Sequence, residues 1–354
     1  MPESLKISCY HCGQKLDVGE LEPFSRIACP VCSTRIIVPK PFGNLLLEEN
    51  LGAGPMADVF RAMDITLDRD IAVKVLRPEF SRDSDVSRQF ISEARSASAI
   101  NHPNIIPIYS CGEMDEMTYI IMQFMEGGSL LRRLHQGLPA ERQTARWFME
   151  VAKGLDSAHL HGVGHHNVKP SNIFLDGDGN VKVGDFGLAN VINRNRPCIE
   201  NDQVPAWVTL EMSHYASPER ISTGRQDVSG DIYSLGAALY HVLCGVPPFD
   251  GKTPAENLRA RFSGPPPEPR QRREDLSQEM NDFCLKMLAL YPSERPRGYD
   301  QVATALNELA GSGRKRSAPE RTVAGPKTGE EREQLRSLRP VATATPASPK
   351  PRAR

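Results

Sequence analysis

The chain has no run of 18 apolar residues, so no helix is expected to span a membrane. Its first stretch, MPESLKISCYHCG, lacks the basic and apolar regions of a secretory leader. A soluble, cytoplasmic protein is the resulting expectation. Net charge is also missing. The formal value is -1 at pH 7 and the pI is about 6.8, so the average offers no electrostatic attraction to nucleic acid or an anionic membrane. That average hides an uneven distribution, because residues 311–354 hold 11 Lys+Arg against 4 Glu, a local +7 that leaves -8 on the remainder. No internal repeat of about 20 to 50 residues is visible, which excludes a solenoid.

What the chain does have falls into three regions. Residues 1–40 are bracketed by cysteines, residues 43–308 alternate periodic apolar segments with Gly/Pro turns, and residues 311–354 are rich in Pro, Ser, Thr and Ala. The last region has too few large apolar residues to offset its ordering entropy and is expected to be disordered. In the middle region, LLLEENLGAGPMADVFRAMD, DIAVKVL and MTYIIMQFM have the apolar runs and alternation of strands. Between the latter two, Val86, Phe90, Ala94 and Ala97 recur at helical spacing. After Gly127-Gly128, helical patterns dominate, from TARWFMEVAKGLDSAHLHG to YDQVATALNELA. The fold class expected is α+β, with a strand-rich lobe, then a helical lobe.

Four of the 8 cysteines form two pairs, Cys9/Cys12 and Cys29/Cys32, each C-x2-C. Each pair can place two thiolates on one tetrahedral ion, and Zn²⁺ would close a loop too small to carry its own core. Gly13 and Pro30 suit the tight knuckles such a ribbon needs. Cys111, Cys198, Cys244 and Cys284 are scattered, a pattern that fits a reducing compartment better than a disulfide framework. Residues 9–40 carry four Lys+Arg and one candidate stacking pair, Tyr10 and Phe24. Docking to protein or a structural role is therefore expected of the ribbon, and nucleic acid is not.

In LGAGPMADVFRA, Gly52 and Gly54 fit the first two places of G-x-G-x-x-G, and Ala57 stands in the third. Glycines there let backbone N–H groups approach phosphate oxygens. The pattern alone is equally that of a generic turn. Lys74 in IAVK, Glu93 on the following helix, Asn172 in VKPSN and Asp185 in DFG then follow in order. With HPNII, MQFMEGGSL, HHNVKPSNIFL, SPE, DIYSLG and Arg295-Pro296, these pieces make residues 43 to 308 resemble eukaryotic-type Ser/Thr protein kinases, particularly the bacterial members.

The resemblance implies a bilobal kinase-like fold and a set of roles. Lys74 would hold ATP phosphates and pair with Glu93, while Asn172 and Asp185 would hold Mg²⁺. Val59, Ala72 and Leu175 would sandwich adenine, the backbone from Gln123 to Met125 would bond its edge, and Met122 would stand behind. Lys169 would approach the γ-phosphate. Glu219 and Arg295 would pair, and Asp231 would brace the catalytic loop. The partners implied are ATP and a protein substrate or regulated protein. DGDGN at 176–180 looks like half a calcium loop, but the later ligands are absent and a turn is expected. The histidines His159, His161, His165 and His166 fall at a helix end and a loop, where packing and exposure account for them.

One departure bears on activity. The family's catalytic HRD reads His165-His166-Asn167 here, and an amide can orient a hydroxyl but cannot take its proton. General-base terms are worth about 10² to 10⁴ in rate, whereas positioning and metal electrostatics supply most of phosphoryl transfer. A pseudokinase that binds Mg-ATP, with transfer strongly impaired and a signalling or scaffold role, is the first expectation; a weakly active Ser/Thr kinase is the alternative. The stretch LEMSHYASPE has also lost the small turn residues of the family's activation segment.

Overall fold

A computed structural model describes residues 5–9, 11–186, 196–200, 203–225 and 227–311. Tyr10, the DFG glycine Gly187 and the tail from residue 312 lie outside them.

Two short antiparallel hairpins come first: β1 (Lys6–Ser8) with β2 (Lys15–Asp17), and β3 (Arg26–Ala28) with β4 (Arg35–Ile37). Three-residue strands enclose little apolar volume, and the buried residues clustered here are Cys9, Cys29 and Ile36. The chain then enters an antiparallel six-stranded sheet of β5 (Lys40–Phe42), β6 (Leu45–Ala53), β7 (Ala57–Asp64), β8 (Arg69–Leu76), β9 (Ile108–Met114) and β10 (Met117–Gln123), ordered β5-β6-β7-β8-β10-β9. Because β5 pairs with β6, the sheet starts at Lys40, ahead of the boundary at 43 that composition gives.

Strand β8 is covered on both faces, which explains its near-continuous apolar run. Ile71, Val73 and Val75 pack on one face with Phe42, Leu45 and Leu47, while Leu76 packs on the other with Phe90 and Ala94. Lys74 shares that second face by alternation. A short α1 (Pro78–Ser81) precedes α2 (Ser84–Ser98), whose N-cap Asp83 accepts the Asp85 and Val86 N–H groups.

Past β10 the chain crosses Gly127, whose backbone N–H donates to Leu175 O at 3.0 Å. β11 (Gly128–Ser129), α3 (Leu130–Leu134) and α4 (Glu141–Leu160) lead to β12 (Ile173–Leu175) and β13 (Val181–Val183), which form a second sheet with β11. The helices α5 (Leu210–Tyr215), α6 (Pro218–Thr223), α7 (Val228–Cys244), α8 (Pro254–Ser263), α9 (Pro269–Arg272), α10 (Gln278–Met287) and α11 (Tyr299–Gly311) complete this lobe. Helix α7 is apolar nearly all round and is its central rod, against α4, α5 and α10, while α11 packs on α4. A strand-rich lobe is thus followed by a helical one. Among the described residues, no helix is long and apolar enough to cross a membrane.

Candidate functional site

A cleft of about 450 Å³ opens beneath the β6–β7 hairpin, ample for a nucleotide. Gly52, Gly54 and Val59 line its roof. The hairpin is closed by Gly54 N–H donating to Ala57 O at 2.9 Å, and Ala57 is 3% exposed, so the third position of the glycine motif holds its methyl in the core. Ala72 and Lys74 come from β8, and Met122, Gln123 and Met125 from the end of β10 and the connection that follows. Register places Val59 opposite Lys74 and Met122 opposite Ala72, which gathers these side chains around one opening.

Leu175 does not reach the cleft. Strand β12 alternates, so Ile173 and Leu175 point into the helical core and Phe174 lines the cleft. The position on the cleft expected of Leu175 is therefore held by Phe174. Sequence alone leaves both readings open for a three-residue strand, because either face is apolar.

On the floor, Lys74 Nζ lies 2.9 Å from Asp185 Oδ1. Burial raises the Asp185 pKa, but the charges of Lys74 and Lys169 outweigh it, and the carboxyl is held below its ordinary range. Asp185 sits at φ 64°, a region costly for a side chain, and the residues around it fix that conformation. Glu93 is half-buried on α2, one turn beyond Phe90, which is the α2 residue lining the cleft. Asn172 is 5% exposed, and its Nδ2 donates to Asn167 O at 2.9 Å, which leaves Oδ1 as the atom to face a cation.

The loop carrying Asn167 is held from below. Asp231, in the first turn of α7, accepts N–H from His165 at 3.0 Å and from His166 at 2.8 Å, and Tyr299 Oη donates to it at 3.2 Å. His165 Nδ1 accepts the Asn167 N–H at 3.2 Å, so its proton is on Nε2, which donates to Gly184 O at 2.9 Å. Burial lowers the His165 pKa and keeps the ring neutral, so one imidazole ties the Asn167 loop to the residue before Asp185. Arg295 forms a fork with Glu219, at 2.7 and 3.0 Å.

Glu211 is the residue that pattern reading misses. It lines the same cleft, and its carboxylate accepts from Lys169 Nζ at 2.5 Å and from Ser171 Oγ at 2.6 Å. The signal available was an acid where the family-like activation segment has small turn residues. The hydroxyls of Thr209 and Ser217 cap α5 and α6, and Ser213 is buried. Residues 176–180 form the expected turn, with Asp176 Oδ1 accepting from Asp178 and Asn180 N–H.

Apart from the cleft, the Sγ atoms of Cys9, Cys12, Cys29 and Cys32 lie within 4.8 Å of one another, a group able to hold a metal ion. Gly13 N–H donates to Cys9 O at 2.8 Å and Ser33 N–H to Cys29 O at 2.9 Å, with both donors in the left-handed region. These are two matching knuckles. Among the described residues the histidines form no such group.

The protein kinase domain model matches residues 45–306. The chain is 35% identical over 246 residues to Serine/threonine-protein kinase PrkC of Bacillus subtilis, a match covering 69% of this chain and 37% of PrkC. It is 35% identical over 254 residues to Serine/threonine-protein kinase PknB of Mycobacterium tuberculosis, covering 70% and 40%. The chain thus spans about two fifths of the length of these curated relatives. Among solved structures, the Mycobacterium tuberculosis PknI kinase domain aligns with a TM-score of 0.59 at 25% identity, over 77% of this chain and 98% of that one.

Proposed function

The chain belongs to the protein kinase family, and on that premise we propose that it binds Mg-ATP and transfers the γ-phosphate to protein Ser/Thr hydroxyls at a rate strongly depressed by Asn167. The observation that carries this reading is the gathering of Lys74, Asp185, Asn172 and Lys169 on one cleft, with Asp185 held ionised. A carboxylate and a directed amide oxygen are the hard donors Mg²⁺ takes, and the bound ion would neutralise phosphate charge. Lys74 would hold the phosphates, and Gln123 to Met125 would bond the adenine edge. Asn167 would orient the accepting hydroxyl without taking its proton. A binding-only scaffold is the second reading, and it is favoured by the same amide. The two are separated by measuring Mg-ATP binding and γ-phosphate transfer side by side.

The domain plan that accompanies this proposal is a ribbon over 1–40, a kinase-like domain over 43–308 and a tail over 311–354. We assign Zn²⁺ to the ribbon because its donor set is four cysteine sulfurs within 4.8 Å of one another, the donors a structural zinc site takes. Ribbon and tail would dock a regulated partner or substrate protein. A Mg-ATP-induced rise in melting temperature, blunted by Lys74→Met and by Asp185→Asn, is the expected result. No shift at millimolar ATP would sink the nucleotide reading.

A further inference from the structure

The contact of Glu211 with the catalytic loop has no part in the mechanism so far. Val168 is 1% exposed and turns into the helical core, and Lys169 is extended, at φ -160° and ψ 159°. Alternation along extended backbone puts Asn167 and Lys169 on the opposite side, and both line the cleft. Glu211 lines the same cleft and meets Lys169 there. Its two oxygens are fixed by Lys169 and Ser171, and Thr209 caps the helix that presents it, accepting the Met212 N–H at 3.1 Å.

We propose that Glu211 is the proton acceptor for phosphoryl transfer, in place of the carboxylate missing at 167. This inference rests on the phosphoryl-transfer reading above. In the step, the substrate hydroxyl oxygen forms a bond to the γ-phosphorus while the bond from that phosphorus to the β,γ-bridging oxygen breaks, and ADP leaves with the bridging oxygen. The hydroxyl proton passes to a Glu211 oxygen and from there to solvent after product leaves. A carboxylate has about four lone-pair sites. Lys169 and Ser171 take one on each oxygen, which leaves one on each for a substrate hydroxyl. Burial raises the pKa of Glu211, but Lys169 and Ser171 outweigh it, so the group is ionised at neutral pH. A base with a lowered pKa is also a weak one, in keeping with slow transfer.

The rival role is a restraint, in which Glu211 only keeps Lys169 from the phosphate. The two make opposite predictions for Glu211→Gln, which keeps the size of the side chain and an oxygen for Lys169. Single-turnover transfer to a Ser/Thr peptide and the Mg-ATP thermal shift are measured on full-length wild type, Glu211→Gln, Asn167→Asp and the double variant. The expected result is a loss of about 10²-fold in Glu211→Gln with the thermal shift kept. In the Asn167→Asp background the same change should cost less than about threefold, because the aspartate has taken over the proton. That non-additivity separates proton transfer from a structural role and shows that the variant still folds. Unchanged or faster transfer in Glu211→Gln overturns the proposal, as does an equal loss in both backgrounds. A wild type that shifts with Mg-ATP but transfers nothing overturns it while the nucleotide reading stands. Absence of the shift sinks both.

Discussion

Asparagine and aspartate are nearly the same shape, so position 167 changes chemistry while leaving the loop's packing alone. The hydrogen bonds that hold the loop use backbone groups of residues 165–167 and the side chains of Asp231 and His165, none of which depends on a carboxylate at 167. Asn167→Asp should therefore fold normally and raise transfer to a generic basic protein by about 10² or more, read as kcat/KM. No gain would mean that the γ-phosphate is misplaced, since poor positioning costs more than a missing base. Gly127 is a residue of the opposite kind, conserving space instead of chemistry. A Cβ there would lie 2.8 Å from Leu175 Cβ and 2.9 Å from two backbone oxygens, none of which can swing away. Gly127→Ala should destabilise the fold by about 1 to 3 kcal/mol in denaturant titration.

Elements carry their own signatures. Helices α5 and α7 are joined by a hydrogen bond of 2.7 Å between Tyr215 Oη and His241 Nδ1, with the rings stacked at 6.1 Å. Burial first, then the charge of His214, against Asp250 and Glu211, lowers the His241 pKa to about 4. In the unfolded chain the ring takes a proton near pH 6.5, and in the folded chain only near 4. Between those values the unfolded state binds more protons, so stability is full above pH 6.5 and falls as pH drops to 4, by up to about 3 kcal/mol. His241→Asn should flatten that part of the melting-temperature curve relative to wild type. An unchanged slope would assign the acid sensitivity to other groups. The cap of α5 gives a second test. Thr209→Ala should cost about 1 kcal/mol and loosen the helix end that presents Glu211.

At the scale of the whole molecule, the ribbon and the six-stranded sheet share a surface. Phe24 stacks on Phe60 of β7, with centroids 5.6 Å apart and planes at 14°, and packs on the cluster of Phe42, Leu45 and Ile71. Its N–H donates to Val38 O at 2.7 Å just before β5 begins. Metal binding should thus couple to the stability of the strand-rich lobe, because a ribbon without its ion has too little core to stay folded. Purified protein is expected to hold about one zinc per chain, and Cys29→Ser to abolish it by leaving three thiolates. Chelation should lower the melting temperature of the kinase-like domain, and Phe24→Ala should weaken that coupling while leaving the zinc content unchanged. Metal held equally well by Cys29→Ser would remove the ion from this account.

Much of this was legible in the sequence, for a local reason. C-x2-C spacing, the alternation of IAVKVL, the order of Lys74, Asn172 and Asp185, and the amide at 167 are constraints that one stretch of chain must satisfy by itself, so they show in its letters. The strand-rich lobe followed by a helical lobe was readable in the same way, from the shift in apolar period after Gly127-Gly128. Which face of a three-residue strand meets a ligand is not such a constraint. Phe174 lines the cleft instead of Leu175 because the helical core lies on the other side of β12, and that side is set by packing between distant elements. Glu211 is the stronger case. Alone, LEMSHY is an ordinary short amphipathic stretch; it gains its place because α5, packed on α7 and α8, swings a carboxylate 40 residues away in sequence onto Ser171 and Lys169. The residue types that chemistry requires are written locally, and the meeting of those residues across the chain is decided by the tertiary structure, where burial and alternation choose which atoms face one another.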